Sequence, residues 1–307
     1  MIGQGSHAGH DAPQPGSNVE ANWRGYPKAT TVEEDVFRTN LHYDLPAEFF
    51  LTLTGGRWHC YSCNLWDGAD SETESQERKL DLLAKLMELR AGQRVLDVGC
   101  GWGGPLVYLA ERYGIHGVGL TLSPTQLAYA QQRAAEHRVP VTFHQCHWRD
   151  FEDPEPFDAI YTDEVLVHFQ DLLGYFRTAR TLLRDRGVML NKEVHFASSR
   201  YLRPTSAGSI VSDIFEASGS YGMLHDELVL VDQAGFSLEC TETFGIGNYR
   251  QTLEAWHANM RSSRDHLENL VGADHYRRFL RYLRVGKRIV SGPWMTLDIV
   301  VARAMRR

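Results

Sequence analysis

From about residue 74 onward the chain alternates between two hydrophobic rhythms. Leu80, Leu82, Leu83, Leu86 and Leu89 recur at helical spacing among polar neighbours, which predicts a helix over 74–89. Short apolar runs follow near 94–99, 115–120, 141–145, 157–162 and 187–193, and these read as strands. Between them, stretches near 103–114, 123–138 and 170–184 carry the helical period. Such alternation predicts an α/β fold: parallel strands joined by right-handed crossovers, with helices on both faces of one sheet. After Ser198 the rhythm breaks. Residues 198–222 read as an inserted loop–helix segment and 250–286 as helices crowded with Arg, His and Tyr, while Trp294 to Ala302 reads as a last strand.

Upstream, residues 1–30 are rich in Gly, Pro, His, Ser and Asn and have no hydrophobic period, so a disordered arm is expected there. Val32 to Ala69 mixes aromatic with polar residues and reads as an irregular helical lid. The expected organisation is therefore an arm at 1–30, an N-terminal helical lid at 31–93 and a main domain at 94–307, with cap insertions near 198–222 and 250–286.

Composition narrows the function. A net charge of −7 lacks the basic face of a nucleic-acid binder. No apolar run approaches the ~20 residues of a membrane span. The N-terminus has no charged-then-apolar signal segment, and Cys60, Cys63, Cys100, Cys146 and Cys240 form no even framework. Free thiols in the cytoplasm are the expectation. Cys60-x-x-Cys63 with His59 has no second paired motif, so no metal site is expected.

The richest stretch is Arg94-Val-Leu-Asp-Val-Gly-Cys-Gly-Trp-Gly-Gly104, a strand running into a glycine turn and a helix. Gly99, Gly101 and Gly103 suit a tight turn that approaches a ligand closely. Asp97 places a charge in an apolar strand and so asks for a partner. Gly99-x-Gly101-x-x-Gly104 also fits the dinucleotide pattern. However, the next strand ends Gly119-Leu-Thr-Leu-Ser123, with Thr121 where dinucleotide sites place an acid.

Together these features resemble S-adenosylmethionine (SAM) methyltransferases, and within them the cyclopropane-fatty-acid-synthase-like group. His42-Tyr-Asp-Leu45, Phe49-Phe50 and Tyr61-Ser-Cys63 extend the resemblance through most of the chain beyond residue 40. It implies a Rossmann-like seven-stranded sheet with the last strand inserted antiparallel at the sheet edge, covered by the lid and the helical cap. Backbone amides after the first strand would meet the methionine carboxylate of SAM, with Asp97 orienting the turn. Similar proteins hold ribose and adenine with a Thr-Leu-Ser-x-x-Gln segment and a Trp-acid pair. The matching residues are Thr121, Leu122, Ser123, Gln126 and Trp148, with Arg149 in place of the acid; Tyr61 and Ser62 complete the implied cofactor set.

On the acceptor side, similar cyclopropane synthases hold a bicarbonate-like base with Cys, Glu, His and Tyr. Cys63 and Tyr249 match two of these, but Val167 and Lys192 occupy the Glu and His positions. Glu164, just past the fourth strand, is the alternative base, with His168 a second acid–base candidate. Tyr61, Tyr161 and Tyr249 are candidates for cation–π stabilisation, and Lys192, Arg200 or Arg250 for holding an anionic group. The expected function is SAM-dependent C-methylation of a small lipophilic alkene, prenyl or aromatic carbon through a carbocation-like intermediate. Fatty-acyl cyclopropanation and amine N-methylation are the alternatives within the class. Outside it stand a cyclase or non-catalytic SAM-fold protein and an NAD dehydrogenase. The basic run at 277–287 reads as the solvated face of an amphipathic helix, and homo-oligomer formation is left open.

Overall fold

The computed structural model describes residues 31–43, 45–201 and 222–305. The expected arm at 1–30 and most of the expected insertion at 198–222 lie outside them.

Seven strands form one sheet: β1 (Arg94–Val98), β2 (His116–Thr121), β3 (Val141–Gln145), β4 (Phe157–Asp163), β5 (Leu183–Phe196), β6 (Phe236–Thr243) and β7 (Met295–Ala304). Their order is β3-β2-β1-β4-β5-β7-β6. The first five are parallel, and strand order reverses between β1 and β4, which opens a crevice at their carboxyl ends. Helices α4 (Gly104–Tyr113), α5 (Pro124–His137) and α6 (Leu172–Leu182) join these strands, as the periodicity predicts. Side chains start α5 and α6: Ser123 Oγ accepts the Gln126 N–H at 3.3 Å and Asp171 Oδ1 that of Gly174 at 2.8 Å.

β7 is antiparallel and inserts near the sheet edge, as the resemblance implies, between β5 and the outermost strand β6. The burial patterns give the reason. β7 is buried along almost its whole length, whereas β6 buries Phe236 and exposes Glu239 and Glu242, the charged dressing of a true edge. That polarity also hides β6 from a hydrophobic reading.

One face of the sheet packs Val95, Ala159, Leu190 and Val301 against α4 and against α3 (Glu72–Leu86). The opposite face packs Leu96, Ile160 and Met189 against α6 and α7 (Leu224–Gln233). A third core lies apart from the sheet. It joins α2 (Ala47–Thr54) to α8 (Ile246–Ser262), α9 (Arg264–Val271) and α10 (Ala273–Val290) through Phe49, Phe50, Leu53, Trp256, Met260 and Phe279. The expected lid and cap thus share one core. α3, placed in the lid by sequence, belongs instead with the sheet, because Leu80, Leu83 and Ala84 pack beside Val95 and Leu106. α1 (Val32–Tyr43) precedes them all.

Candidate active site

An open cleft of about 1050 Å³ lies at the carboxyl ends of β1 and β4. Tyr61, Ser62, Asp97, Gly99, Gly101, Thr121, Leu122, Gln126 and Trp148 all line it, as do Glu164 and His168.

The glycine turn is built as its sequence suggests. Gly99 and Gly101 have φ of 91° and 52°, and a Cβ on Gly99 would strike the Val165 side chain at 2.6 Å. A Cβ on Gly101 would meet nothing within 4 Å, so this residue borders open space. The Gly99 and Cys100 N–H groups both donate to Leu120 O at 2.9 Å, and Pro105 has no N–H. The Gly103 N–H donates to Cys100 O at 3.0 Å, so the Gly101, Trp102 and Gly104 amides are the ones left to the turn. Asp97 has the partner it asks for: Tyr161 OH donates to its Oδ2 at 2.6 Å. Burial pushes the Asp97 carboxyl up to about 7, and the Tyr161 hydrogen bond only partly opposes this.

Three residues expected in cofactor binding do not line the cleft. Gly103 sits at the start of α4, where a Cβ would strike Ala130 and Phe143, so its role is packing. Ser123 caps α5. Arg149 lies 3.8 Å from Asp35 and 3.9 Å from Asp171, with its guanidinium 5.0 Å from the centre of the Trp148 ring.

The acceptor side is dominated by a buried chain of charges. Lys79 Nζ bonds Ser62 Oγ at 2.7 Å and Asp163 Oδ2 at 2.8 Å; Lys192 Nζ bonds Asp163 Oδ1 at 2.8 Å and also Glu164 Oε1. Burial disfavours the charge on Lys192, but the carboxylates of Asp163 and Glu164 outweigh it and raise its pKa. Burial likewise opposes the Asp163 carboxylate, and Lys192 and Lys79 together hold its pKa below the ordinary range. Such a network is stable only because each charge is paired. Lys192 is therefore neither a surface lysine nor a ligand-facing cation: it is fully buried and committed to two acids. Arg200 and Arg250 are exposed and do not line the cleft.

Glu164 itself has φ of 61°, a strained conformation for a non-glycine residue. Lys192 secures it twice, through its ammonium and by accepting the Glu164 N–H at 2.7 Å on its backbone oxygen. The Cys63 N–H donates to Glu164 Oε1 at 2.7 Å. Cys63 and Tyr249 do not line the cleft. Burial raises the Cys63 thiol pKa, Thr252 Oγ1 lies 3.8 Å from its sulfur, and Tyr249 is half-buried between two cores. Val167 is buried, and its N–H donates to Glu193 Oε2 at 3.0 Å. Tyr61 stacks on Trp256 with ring centres 5.2 Å apart, which ties the cleft wall to the cap.

Sequence reading passed over Lys79, Asp163 and Asp35. Lys79 left a signal, since it shares a helix face with Leu80 and Leu83, and a lysine on an apolar face calls for a buried acid. No group of His, Cys, Asp and Glu among the described residues is arranged to hold a metal ion.

A family model described as mycolic acid cyclopropane synthetase matches residues 30–297. Methoxy mycolic acid synthase MmaA3 of Mycobacterium tuberculosis is 30% identical over 284 residues, covering 85% of this chain and 92% of that one. Among solved structures, the cyclopropane synthase MmaA2 from Mycobacterium tuberculosis superposes with a TM-score of 0.81 at 23% identity, covering 89% of this chain and 99% of that one. Mycolic acid cyclopropane synthase CmaA1, solved in complex with SAH and CTAB, gives a TM-score of 0.80 at 24% identity, covering 87% and 98%.

Proposed function

The chain belongs to the mycolic acid cyclopropane synthetase family, and on that premise we propose that it transfers the methyl group of SAM to a carbon–carbon double bond of a lipophilic acyl chain and closes a cyclopropane there. The cleft's donor set suits SAM. It offers a backbone turn with open space at Gly101, acids for the ammonium and hydroxyl groups, and the broad indole of Trp148 for a flat base. SAM, when bound, supplies an electrophilic methyl group on a sulfonium. The relatives' names support the acyl-chain acceptor better than the small lipophilic metabolite that the sequence alone suggests.

The chain's own residues then have two tasks. The first is to exclude water and shelter positive charge on the acceptor, for which Tyr61 and the acidic cleft wall are suited. The second is to take a proton. Closing the ring removes one from the transferred carbon as the new carbon–carbon bond forms. Glu164 is the base. Cys63 N–H and Lys192 both contact its Oε1, which leaves Oε2 to receive the proton. The observation that carries the proposal is this carboxylate, held on the cleft wall by two fixed donors.

C-methylation without ring closure is the second reading. It is favoured by Val167 and Lys192, which replace the Glu and His that the resemblance associates with cyclopropanation. Both outcomes start with the same transfer and differ in which proton Glu164 removes. Incubation with methyl-labelled SAM and an unsaturated acyl phospholipid, followed by proton NMR of the product, separates them. High-field ring protons and loss of the alkene signal are expected. A retained alkene bearing a new methyl group would move the assignment to C-methylation.

A further inference from the structure

The cleft has two chemically distinct ends. One holds Asp97, Asp163 and Glu164 beside β1 and β4; the other is formed past the tips of β2 and β3 by Thr121, Leu122, Cys146, His147 and Trp148. Of the four carboxylates that line the cleft, only Asp35 lies at this second end, and it comes from α1.

Three observations give Asp35 a task. First, Trp148 lines the second end, and an indole there suits the one flat ring system in SAM, its adenine. Second, the residue following Trp148 is Arg149, and a guanidinium is donor-only, so it cannot accept from an amino group. Third, Asp35 is held in a fixed pose. His147 Nδ1 accepts the Arg149 N–H at 3.1 Å, so the ring proton sits on Nε2, which faces Asp35 Oδ2 at 3.3 Å. A buried carboxylate is an acceptor, the complement of an exocyclic amine.

We infer that Asp35 recognises the adenine amino group, so that α1 completes the nucleoside site and supplies from the N-terminal segment the acid that Arg149 cannot be. This rests on the SAM reading above. Docking of α1 and cofactor binding are then coupled, since Asp35 reaches both His147 and the cleft from α1.

The test compares SAH with S-inosylhomocysteine, in which an oxo group replaces the amine, by titration calorimetry on the full chain. The wild type should prefer SAH by about tenfold or more, the scale of a charge-assisted hydrogen bond. Asp35→Asn should collapse or invert that preference, because an amide N–H can donate to the oxo group. Asp35→Ser should collapse it without inversion. Equal weakening of both ligands in the two variants, with the ratio kept, would reduce Asp35 to a brace for α1 and overturn the inference. So would a wild type indifferent to the amine. A wild type that binds neither ligand would instead defeat the SAM reading itself.

Discussion

Asp97 shows how much one side chain can reveal before and after folding. As a charge in an apolar strand it announces a site, and the structure supplies both Tyr161 OH and a cleft-facing position. With burial lifting its carboxyl to about 7, its charge changes near neutrality. A cationic ammonium in the cleft favours the ionised form, so binding and deprotonation reinforce each other. SAH affinity measured by calorimetry should rise from about pH 6 to about pH 8, by up to about tenfold per unit on the acid side. Asp97→Asn should flatten that slope. The glycine turn was legible because its residues are neighbours in sequence. Asp35 and Lys79 were not, because their partners, His147 and Asp163, arrive from distant elements and only the fold brings them together.

At the scale of elements, the parallel strands and their helices follow directly from hydrophobic period. What escaped was the order at the far side of the sheet, since a polar edge strand such as β6 carries almost no apolar signal. That side is fastened by a buried cluster in which β5, β7 and α7 meet. His195 Nε2 lies 2.9 Å from Glu227 Oε2, and its Nδ1 lies 3.2 Å from Asp298 Oδ2. Burial opposes charge on this imidazole, but the hydrogen bonds to Asp298 and Glu227 prevail and raise its pKa from 6.5 to about 9. A raised folded-state pKa contributes stability that is complete below the unfolded value and fades as pH climbs through the folded one. Urea unfolding should therefore show stability falling between about pH 6.5 and about pH 9, by on the order of 3 kcal/mol. His195→Gln should remove that pH dependence while lowering stability at neutral pH.

In the whole molecule, a sheet with a crevice at its order reversal is roofed by a separate helical core that joins chain segments before and after it. The sequence indicated both parts but described them as a lid and a cap; shared packing through Phe50, Trp256 and Phe279 makes them one body. Tyr61, stacked on Trp256 and lining the cleft, carries that roof into the site. Glu164 was legible as a carboxylate past the fourth strand. Its anchoring was not, because Lys192 at the His position reads from sequence as a ligand-binding cation, whereas in the structure it is buried and holds the Glu164 carboxylate.

In the proposed reaction Glu164 takes the proton after methyl transfer. The most direct measurement is turnover of Glu164→Gln with SAM and an unsaturated acyl acceptor, alongside SAH binding by the same protein. The amide keeps the volume and can still accept from Cys63 N–H, while losing the ability to take a proton. Turnover should fall by about 100- to 1000-fold, the usual contribution of a positioned general base, with SAH affinity within roughly twofold of wild type. Unchanged turnover with unchanged SAH binding would remove Glu164 from proton transfer and place the base elsewhere in the cleft.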